Sequence, residues 1–389
     1  MYQTMNHQYD VVIVGAGPSG STAARICSDK GLKTLMIEEQ AHIGYPVQCT
    51  GLLSLNAFKE CKVSDNSILN YVSGAKIKAG NAICSFHPGK KMACVVNRAA
   101  LDQEMAINAA DAGCDIKLKT IASEISPQSH ILKVKGIRGR EEIKYSMLIA
   151  ADGPRSIISR ALGIPRAELY LSGLQCDTSL NLEKDYVHIY PNASPDFFGW
   201  MIPIGEERAR IGMCGITDLS KKFSNFIHPF SNRCTHFVSG TIPLGTLKRT
   251  YDEGILIVGD AAALAKPTSG GGVYTGARSA LHAALTAVKA IETGKTQADY
   301  LKEYEYAWKQ DFGNELQKGL RLLQIRQKIT PDEMEKIVTT LSNPSVIEKI
   351  ISKGDIDRPS KLIKGLLLNP HILPIFFQIG KAMIRGGRN

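Results

Sequence analysis

The 389 residues have an ordinary globular composition, 44% hydrophobic and 22% charged, and are enough for more than one packed unit. This composition excludes a disordered chain, a collagen and a small disulfide-stapled scaffold. Nine cysteines are too dilute for a disulfide framework and form no CxxC pair, so we expect free thiols, a cytoplasmic location and no metal site. We expect no secretory signal and no membrane-spanning helix, because the N-terminus has no basic and apolar leader pattern and the chain has no 18-residue apolar run.

Positive charge exceeds negative charge, and part of the excess lies near the C-terminus. There are 47 Lys and Arg against 37 Asp and Glu, a net charge of +10. From 358 onwards the chain has no acidic residue and six basic ones, Arg358, Lys361, Lys364, Lys381, Arg385 and Arg388. The same stretch is strongly apolar. Basic and apolar residues together favour a lipid surface over nucleic acid, so we expect peripheral membrane association and no nucleic-acid partner.

The first forty residues have the pattern of a βαβ unit. An apolar run over 9–14 predicts a buried strand, and it is followed by the glycine loop GAGPSG (15–20), a helix over 21–30 and a strand over 33–37. In such a loop the first glycine permits the tight turn, the second lets the backbone approach a pyrophosphate, and the third lets helix and sheet pack closely. Glu38 is placed to accept a hydrogen bond from a ribose hydroxyl. The unit predicts an FAD or NAD site.

Similar elements recur near residue 250. Strand-rich segments, with a helix over 98–112 and another after Gly153, are followed by an apolar strand over 254–258 and an alanine-rich helix over 276–291. Because nucleotide-fold elements bracket the strand-rich part, we predict a discontinuous nucleotide domain with a second domain inserted. Beyond 297, apolar residues three to four apart and a capping box at Thr330 predict a helical tail.

Two further segments favour FAD over NAD. LIAADGPRS (148–156) resembles the Asp-Gly segment of glutathione-reductase-type flavoproteins, and GILIVGDAA (254–262), with the later glycines 270–272, resembles their second flavin fingerprint. The resemblance implies that Asp260 hydrogen-bonds the ribityl chain and that the glycine turn contacts the pyrophosphate or the flavin O2 edge. NAD alone requires neither segment, so FAD is the predicted cofactor.

Three other motifs resemble one family of flavoproteins. GYPVQCTGL (44–52) looks like that family's loop beside the isoalloxazine, Arg160 stands eight residues after Asp152, and FGWMIP (198–203) with GMC (212–214) resembles its substrate motif. The family is that of the geranylgeranyl reductases, in particular the archaeal digeranylgeranylglycerophospholipid reductases. Ile202 in place of the usual Phe and Cys214 in place of the second glycine depart from its pattern and concern the shape of the lipid pocket.

The resemblance implies an architecture and a set of site residues. We expect an α/β fold made of a glutathione-reductase-type FAD-binding Rossmann domain (1–58, 94–163 and 246–296), an inserted antiparallel β-sheet substrate domain (59–93 and 164–245) and a C-terminal helical domain (297–389). Cofactor contacts are expected at Gly15, Gly17, Ser19, Gly20, Glu38, Cys49, Thr50, Gly51, Arg98, Ile121, Asp260, Gly271, Gly272 and Val273. The substrate pocket is expected at Phe198, Trp200, Pro203 and Gly212.

The function implied by the resemblance is FAD-dependent saturation of isoprenoid chains. An isolated prenyl C=C has no carbonyl to polarise it, so its reduction needs hydride from reduced flavin, a proton for the other carbon and a dry cleft. Cys49 is the candidate catalytic residue, either as proton donor or as a switch that holds the flavin conformation. No second glycine loop is present for a nicotinamide dinucleotide, so the donor is expected to be transient NAD(P)H or ferredoxin, and the charge of +10 suits an acidic carrier.

Three other functions fit parts of the sequence. A flavin monooxygenase of the aromatic-hydroxylase type has similar Asp-Gly and Gly-Asp segments, but depends on oxygen. A redox relay to a membrane quinone usually has clustered C-terminal cysteines, whereas the last cysteine here is Cys234. A flavin-binding scaffold at the membrane needs no catalytic group, and therefore predicts no effect of Cys49→Ala or Trp200→Ala on lipid saturation.

Overall fold

The computed structural model describes residues 3–231, 233–366 and 369–386. Its strands, in chain order, are β1 (Gln3–Val14), β2 (Thr34–Ile37), β3 (Leu52–Ser54), β4 (Ile68–Val72), β5 (Gly74–Ala79), β6 (Ala82–Phe86), β7 (Ala93–Val96), β8 (Asp115–Lys117), β9 (Ile121–Ser126), β10 (Ile131–Gly136), β11 (Gly139–Ala150), β12 (Leu169–Ser179), β13 (Tyr186–Tyr190), β14 (Gly199–Gly205), β15 (Arg208–Gly215), β16 (Cys234–Leu244), β17 (Tyr251–Asp252) and β18 (Ile255–Ile257). Its α-helices are α1 (Pro18–Asp29), α2 (Leu55–Cys61), α3 (Arg98–Asp111), α4 (Ile157–Ala161), α5 (Leu219–Ile227), α6 (Val273–Thr293), α7 (Ala298–Trp308), α8 (Asn314–Arg326), α9 (Pro331–Leu341), α10 (Pro344–Lys353), α11 (Ser360–Leu366) and α12 (Leu373–Gly386).

The first sheet contains the predicted βαβ unit. Its strand order is β17-β18-β11-β1-β2-β8, in which β18, β11, β1, β2 and β8 run parallel, and a hairpin of β9 and β10 extends from β11. Val11, Val12 and Ile13 in the central strand are fully buried, as their apolar run predicts. The strand begins at Gln3 rather than near Tyr9, because its polar first half also pairs with β11. The carboxyl ends of β1, β2 and β18 lie at one edge, where both glycine segments begin.

The second sheet has the order β16-β12-β15-β14-β13-β5-β6. Its neighbouring strands are antiparallel except β5 and β13, which are parallel, so the expectation of a purely antiparallel sheet is wrong for this pair. The physical reason is that β5 comes from a much earlier part of the chain and joins β13 without a hairpin. A small third sheet, β3-β7-β4, pairs with neither and packs against the second sheet. The predicted domain boundaries stay a prediction.

Helix α7 packs against the first sheet, whereas α9 and α10 pack against β5 and β6 of the second. The Tyr304 hydroxyl donates to the Ile257 carbonyl oxygen at 2.6 Å, and Trp308 Nε1 donates to Thr250 Oγ1 at 3.0 Å; both aromatic side chains are buried. The predicted capping box is confirmed, since Thr330 and Glu333 bond reciprocally at the start of α9. Arg388, one of the six basic residues counted above, lies outside the described residues. Within the described ranges, no helix has the length and apolar character needed to cross a membrane.

Candidate functional site

The glycine loop between β1 and α1 closes as its spacing predicts. Gly15 has φ +101°, and a Cβ there would lie 2.4 Å from the Ala151 carbonyl oxygen. A Cβ at Gly20 would lie 1.8 Å from the Gly15 carbonyl oxygen, so neither position admits a side chain. At Gly17, by contrast, a Cβ would meet nothing within 4 Å. Gly17 is the N-cap of α1 and no side chain caps this end, so the first N–H groups of the helix can bind an anion.

Glu38 lies beside this loop. Its Oε2 accepts from the Ala16 N–H at 2.8 Å and its Oε1 from the Gln40 N–H at 3.0 Å, which fixes the carboxylate at the end of β2. The Thr120 N–H donates to the Glu38 carbonyl oxygen at 2.8 Å, so the start of β9 reaches the same edge. Ile121 there is 47% exposed and offers an uncovered apolar surface near the carboxylate.

The second glycine segment meets the first. A Cβ at Gly259 or at Gly276 would lie 2.3 or 2.5 Å from Ser19 Oγ, so only glycines let α1 and α6 approach so closely. A Cβ at Gly272 would lie 2.7 Å from Asp260 Oδ1, which places this carboxylate against the glycine turn. Gly272 caps α6, which begins at Val273, without a side-chain hydrogen bond. Two uncapped helix N-termini therefore lie side by side.

Asp152, from the Asp-Gly segment, has a structural role in addition to its place in the motif. Its Oδ2 accepts from the Ile157 and Ile158 N–H groups at 2.8 and 3.2 Å, which begins α4, whereas its buried Oδ1 has no partner among the described residues. Burial raises the pKa of this carboxyl group, and the hydrogen bonds oppose that shift.

Arg98 interacts with both the predicted catalytic cysteine and Asp260. It donates three hydrogen bonds to Asp102, one helical turn later, at 2.9 to 3.2 Å. Burial of Arg98 disfavours the charged guanidinium and lowers its pKa. The interactions with Asp102 and with the Cys49 thiol outweigh burial, so the pKa of Arg98 lies above its usual value. The guanidinium also opposes the rise in the pKa of Asp260 that burial causes. Sequence reasoning missed Asp102, although an Arg and an Asp four residues apart on a helix indicate such a pair.

The Cys49–Gly51 loop is held by the second sheet. Gln175 Nε2 donates to the Cys49 carbonyl oxygen at 3.0 Å, and Thr50 Oγ1 donates to Gln175 Oε1 at 3.1 Å. Arg210 Nη1 donates to the Thr50 carbonyl oxygen at 2.7 Å. The same guanidinium binds Asp177 through two hydrogen bonds of 2.7 and 3.1 Å, and both side chains are buried. Sequence reasoning missed these three residues, for which no local pattern exists.

Aromatic side chains form a wall next to this loop. The Phe197 and Phe198 rings stack with centres 4.2 Å apart, and Trp200 meets Phe198 edge-on at 6.1 Å. Trp200 pairs with Gly212 across β14 and β15, and a Cβ at Gly212 would lie 2.4 Å from the indole ring. Gly212 in turn pairs with Gln175, so the indole and the side chain that binds the Cys49 loop project from the same face of the sheet.

The wall also reaches the glycine turn. A Cβ at Gly270 would lie 3.7 Å from the Phe197 ring. Pro203, at the far end of β14, is buried, and its carbonyl oxygen accepts from Asn70. A Cβ at Gly173 would lie 3.2 Å from Cys214 Sγ. Cys214, which replaces a glycine of the family motif, therefore places its thiol in space that the absent side chain of Gly173 leaves free. The aromatic wall thus lies near both the cysteine loop and the glycine turn.

Comparison with known proteins identifies the chain. The FAD binding domain family matches residues 8–224, which is more than half of the chain. A digeranylgeranylglycerophospholipid reductase from Methanocaldococcus jannaschii is 31% identical over 93% of this chain and 99% of its own. The chain belongs to the geranylgeranyl reductase family. This family assignment confirms the resemblance, and the protein is an FAD-dependent oxidoreductase.

Solved structures agree with this assignment. A geranylgeranyl bacteriochlorophyll reductase-like protein from Thermoplasma acidophilum superposes with a TM-score of 0.83, at 28% identity, over 93% of this chain and 99% of that one. The p-nitrophenol 4-monooxygenase of Pseudomonas putida has a TM-score of 0.73 at 14% identity, over 92% and 99% of the two chains, and shares the fold alone. The α/β FAD-binding fold predicted from the sequence is confirmed.

The residues of this geranylgeranyl reductase family member fit FAD. The open space at Gly17 and the uncapped start of α1 suit a pyrophosphate, because a side chain would fill this space. The carboxylate of Asp260 is desolvated beside Gly272 and has no hydrogen-bond donor among the described residues, which suits a hydroxyl-bearing chain. The individual cofactor contacts and the catalytic part of Cys49 stay predictions.

Burial of Asp260 makes the FAD-free protein less stable at neutral pH. Burial raises the pKa of Asp260 to about 6, so its ionised form costs stability above that pH, and the cost disappears as pH falls towards the ordinary value near 4. We expect Asp260→Asn to raise the free energy of unfolding at about pH 8 by at most ~3 kcal/mol, and near pH 4 by at most ~0.5 kcal/mol. Chemical denaturation at both pH values measures this, with the exposed Asp299→Asn as control. An equal effect at both pH values would contradict it.

Proposed function

We propose that the protein saturates C=C bonds in geranylgeranyl or other isoprenoid chains of archaeal-type membrane lipid or of its precursors, with hydride from reduced FAD. The observation that carries this proposal is the aromatic wall of Phe197, Phe198 and Trp200, in which Trp200 projects from the face of the second sheet that holds the Cys49 loop. Phe198 is partly exposed and lies against the buried Phe197 and Trp200. A hydrocarbon chain would gain free energy from contact with this apolar cluster. The reductases named among the relatives support the same substrate class.

The chain's own groups have distinct parts in this reaction. When bound and reduced by the electron donor, FAD would supply the hydride. Cys49 is half-buried and is the group proposed to deliver the proton or to hold the flavin conformation. Arg98 interacts with the Cys49 thiol, and Gln175 and Arg210 form hydrogen bonds to the loop that contains Cys49. These contacts fix the position of the sulfur relative to a bound substrate. Trp200 and Gly212 shape the wall against which the prenyl chain lies.

An anaerobic turnover assay tests this proposal. The holoprotein, reduced with dithionite and mixed with a geranylgeranyl phospholipid, is expected to give products heavier by two hydrogen atoms for each double bond, as measured by mass spectrometry. Cys49→Ala and Trp200→Ala are expected to lower the rate, whereas Cys234→Ala, at an exposed cysteine, is not. Strict dependence on oxygen, with an oxygen atom in the product, would instead support a monooxygenase. Tight FAD binding with no change in any lipid would support a scaffold.

Ferredoxin or transient NAD(P)H is the proposed electron donor. The net charge of +10 favours an acidic carrier through electrostatic steering, which salt weakens. Reduction of the bound FAD by each donor, followed by absorbance at two ionic strengths, distinguishes the two. A rate that falls steeply with salt supports the protein carrier.

We also propose that the protein binds the membrane surface through helix α12. Gln378 and Ala382 on one side of this helix are buried, whereas the opposite side exposes large apolar side chains, Leu373, Phe376, Phe377 and Met383. Lys381 Nζ lies 4.5 Å from the Phe377 ring centre, and no acidic residue follows Asp357 in the sequence. An apolar helix face beside basic residues suits an anionic bilayer, which would also bring the protein to its lipid substrate.

Phe377→Ser is therefore expected to weaken binding to anionic vesicles by about tenfold, since it removes a large apolar group worth ~1.5–3 kcal/mol on burial. Co-sedimentation with vesicles containing phosphatidylglycerol measures the loss. Phe237→Ser is a matched control, because Phe237 and Phe377 are each 60% exposed but lie on different elements, β16 and α12. Equal effects of the two substitutions would refute membrane binding through α12.

A further inference from the structure

A buried ion pair joins the glycine turn at 270–272 to the segment between helices α10 and α11. The ammonium nitrogen of Lys266 lies 2.7 Å from Asp357 Oδ1 and 3.3 Å from the Ile356 carbonyl oxygen. Lys266 is 7% and Asp357 3% exposed, so solvent screens neither charge. Separating such a pair leaves a charge buried without its partner, and the pair therefore fixes the two segments relative to each other.

The lysine end of this pair is built into the glycine turn. The Lys266 N–H donates to the Gly271 carbonyl oxygen at 3.0 Å, and its own carbonyl oxygen accepts from the Gly270 N–H at 2.8 Å. A Cβ at Gly271 would lie 3.4 Å from Lys266 Cε and 3.9 Å from its Nζ. The positive charge therefore lies directly beside the turn on which FAD is proposed to rest.

The aspartate end reaches the other side of the site. Asp357 Oδ2 accepts from Ser54 Oγ at 2.6 Å, and Ser54 stands three residues after Gly51 of the cysteine loop. Ser54 also caps α2, since its Oγ accepts from the Ala57 N–H at 2.9 Å. One carboxylate of the C-terminal part thus binds both segments that flank the proposed flavin position.

The next residues attach the same C-terminal segment to α6. Arg358 Nη2 donates to Asp311 Oδ1 at 3.1 Å, and the guanidinium also interacts with the hydroxyl of Tyr274, the second residue of α6. Arg278, also on α6, binds Asp311 at 2.7 Å. The segment 355–358 is therefore fixed against the helix whose N-terminus faces the cofactor site.

We propose that Lys266 and Asp357 are positioning residues of the flavin site, and that the charge balance of this pair sets the affinity of the site for reduced FAD relative to oxidised FAD. Reduced flavin is anionic at neutral pH, whereas oxidised flavin has a neutral ring. A cation beside the glycine turn favours the reduced form, and the carboxylate of Asp357 counteracts it. The proposal goes beyond the lipid substrate and depends only on FAD binding.

Reduction potentials of the holoprotein test the proposal without any lipid, so its failure and failure of the lipid proposal are distinguishable. Lys266→Met removes the cation and is expected to make the potential of bound FAD more negative. Asp357→Asn leaves the cation uncompensated and is expected to make it more positive. A tenfold change in the affinity ratio of the two redox states corresponds to about 30 mV for a two-electron couple. Both variants are expected to release FAD faster, because each separates the turn from segment 355–358.

A role in folding alone would not shift the potential in opposite directions. Lys266→Arg is expected to keep the wild-type potential, and Lys117→Met, at a lysine paired with Glu141 on the first sheet, is the control for loss of an ion pair elsewhere. Shifts of the same sign in Lys266→Met and Asp357→Asn, or shifts no larger than that of the control, would overturn the proposal. If either variant does not fold, the double variant Lys266→Gln with Asp357→Asn, which removes both charges, tests the proposal instead. We expect this variant to keep the wild-type reduction potential and to release FAD faster. Release of FAD at the wild-type rate would refute the proposal that the pair positions the flavin site.

Discussion

Gly17→Glu is expected to give a folded protein that has lost its FAD. A Cβ at this position meets no atom within 4 Å, and Gly17 has φ −70°, which any residue adopts, so the substitution strains nothing. A carboxylate at the start of α1 even suits the helix dipole. It would, however, occupy the space proposed for the pyrophosphate, and placing like charges together costs several kcal/mol. We expect FAD binding to weaken by at least about 100-fold, or ~2.7 kcal/mol.

Fluorescence titration of the FAD-free protein measures this loss, and circular dichroism verifies the fold. Gly17→Gln has nearly the same size without the charge, so the difference between the two variants isolates the electrostatic part. Gly20→Ala is expected to fail differently: its Cβ would lie 1.8 Å from the Gly15 carbonyl oxygen, so this variant loses stability even without FAD. If Gly17→Glu bound FAD as tightly as the wild type, the pyrophosphate would not lie at the start of α1.

The contrast between Gly17 and Gly20 illustrates how much local spacing reveals. The glycine loop, its flanking strand and helix, and the acid that follows all lie within one short stretch of chain, so the sequence was sufficient to predict this part of the fold. The choice of FAD over NAD depended on two later segments, 148–156 and 254–262. The beginning of β1 was missed because residues before Tyr9 have no apolar pattern and are held by pairing with β11. Ordinary hydrophobic periodicity contains no information about such pairing.

The residues that hold the Cys49 loop and the glycine turn in place could not be predicted for a related reason. Cys49 was found from its motif, but the groups that hold its loop come from strands far away in the sequence: Gln175 is 125 residues from Thr50, and Arg210 is 160 residues from it. Asp357 is 303 residues from Ser54. Each of these polar residues is ordinary in its own segment. Only the register of β12 with β15, and the return of the C-terminal segment to the glycine turn, bring them together.

Asp177→Asn is expected to be among the most destabilising single substitutions in the second sheet. Asp177 and Arg210 face each other across β12 and β15 and are both buried, so an asparagine leaves the guanidinium without its counter-charge. Removing one partner of a buried pair typically costs ~3–5 kcal/mol. The loss also reaches the site, because the same guanidinium holds the Thr50 carbonyl oxygen, and we expect faster amide hydrogen exchange in the Cys49–Gly51 loop.

The free energy of unfolding in urea, measured with FAD bound, tests the size of this effect. Asp29→Asn is the matched control: Asp29 pairs with Arg25 on the surface of α1, its side chain is half exposed, and we expect a change within about 0.5 kcal/mol. A double variant, Asp177→Leu with Arg210→Met, removes both charges and is expected to recover most of the stability. In this double variant the Thr50 carbonyl oxygen has no hydrogen bond from Arg210. We therefore expect the free energy of unfolding to recover while amide hydrogen exchange in the Cys49–Gly51 loop stays rapid. If Asp177→Asn changed stability no more than Asp29→Asn, the pair would not hold the sheet against the cysteine loop.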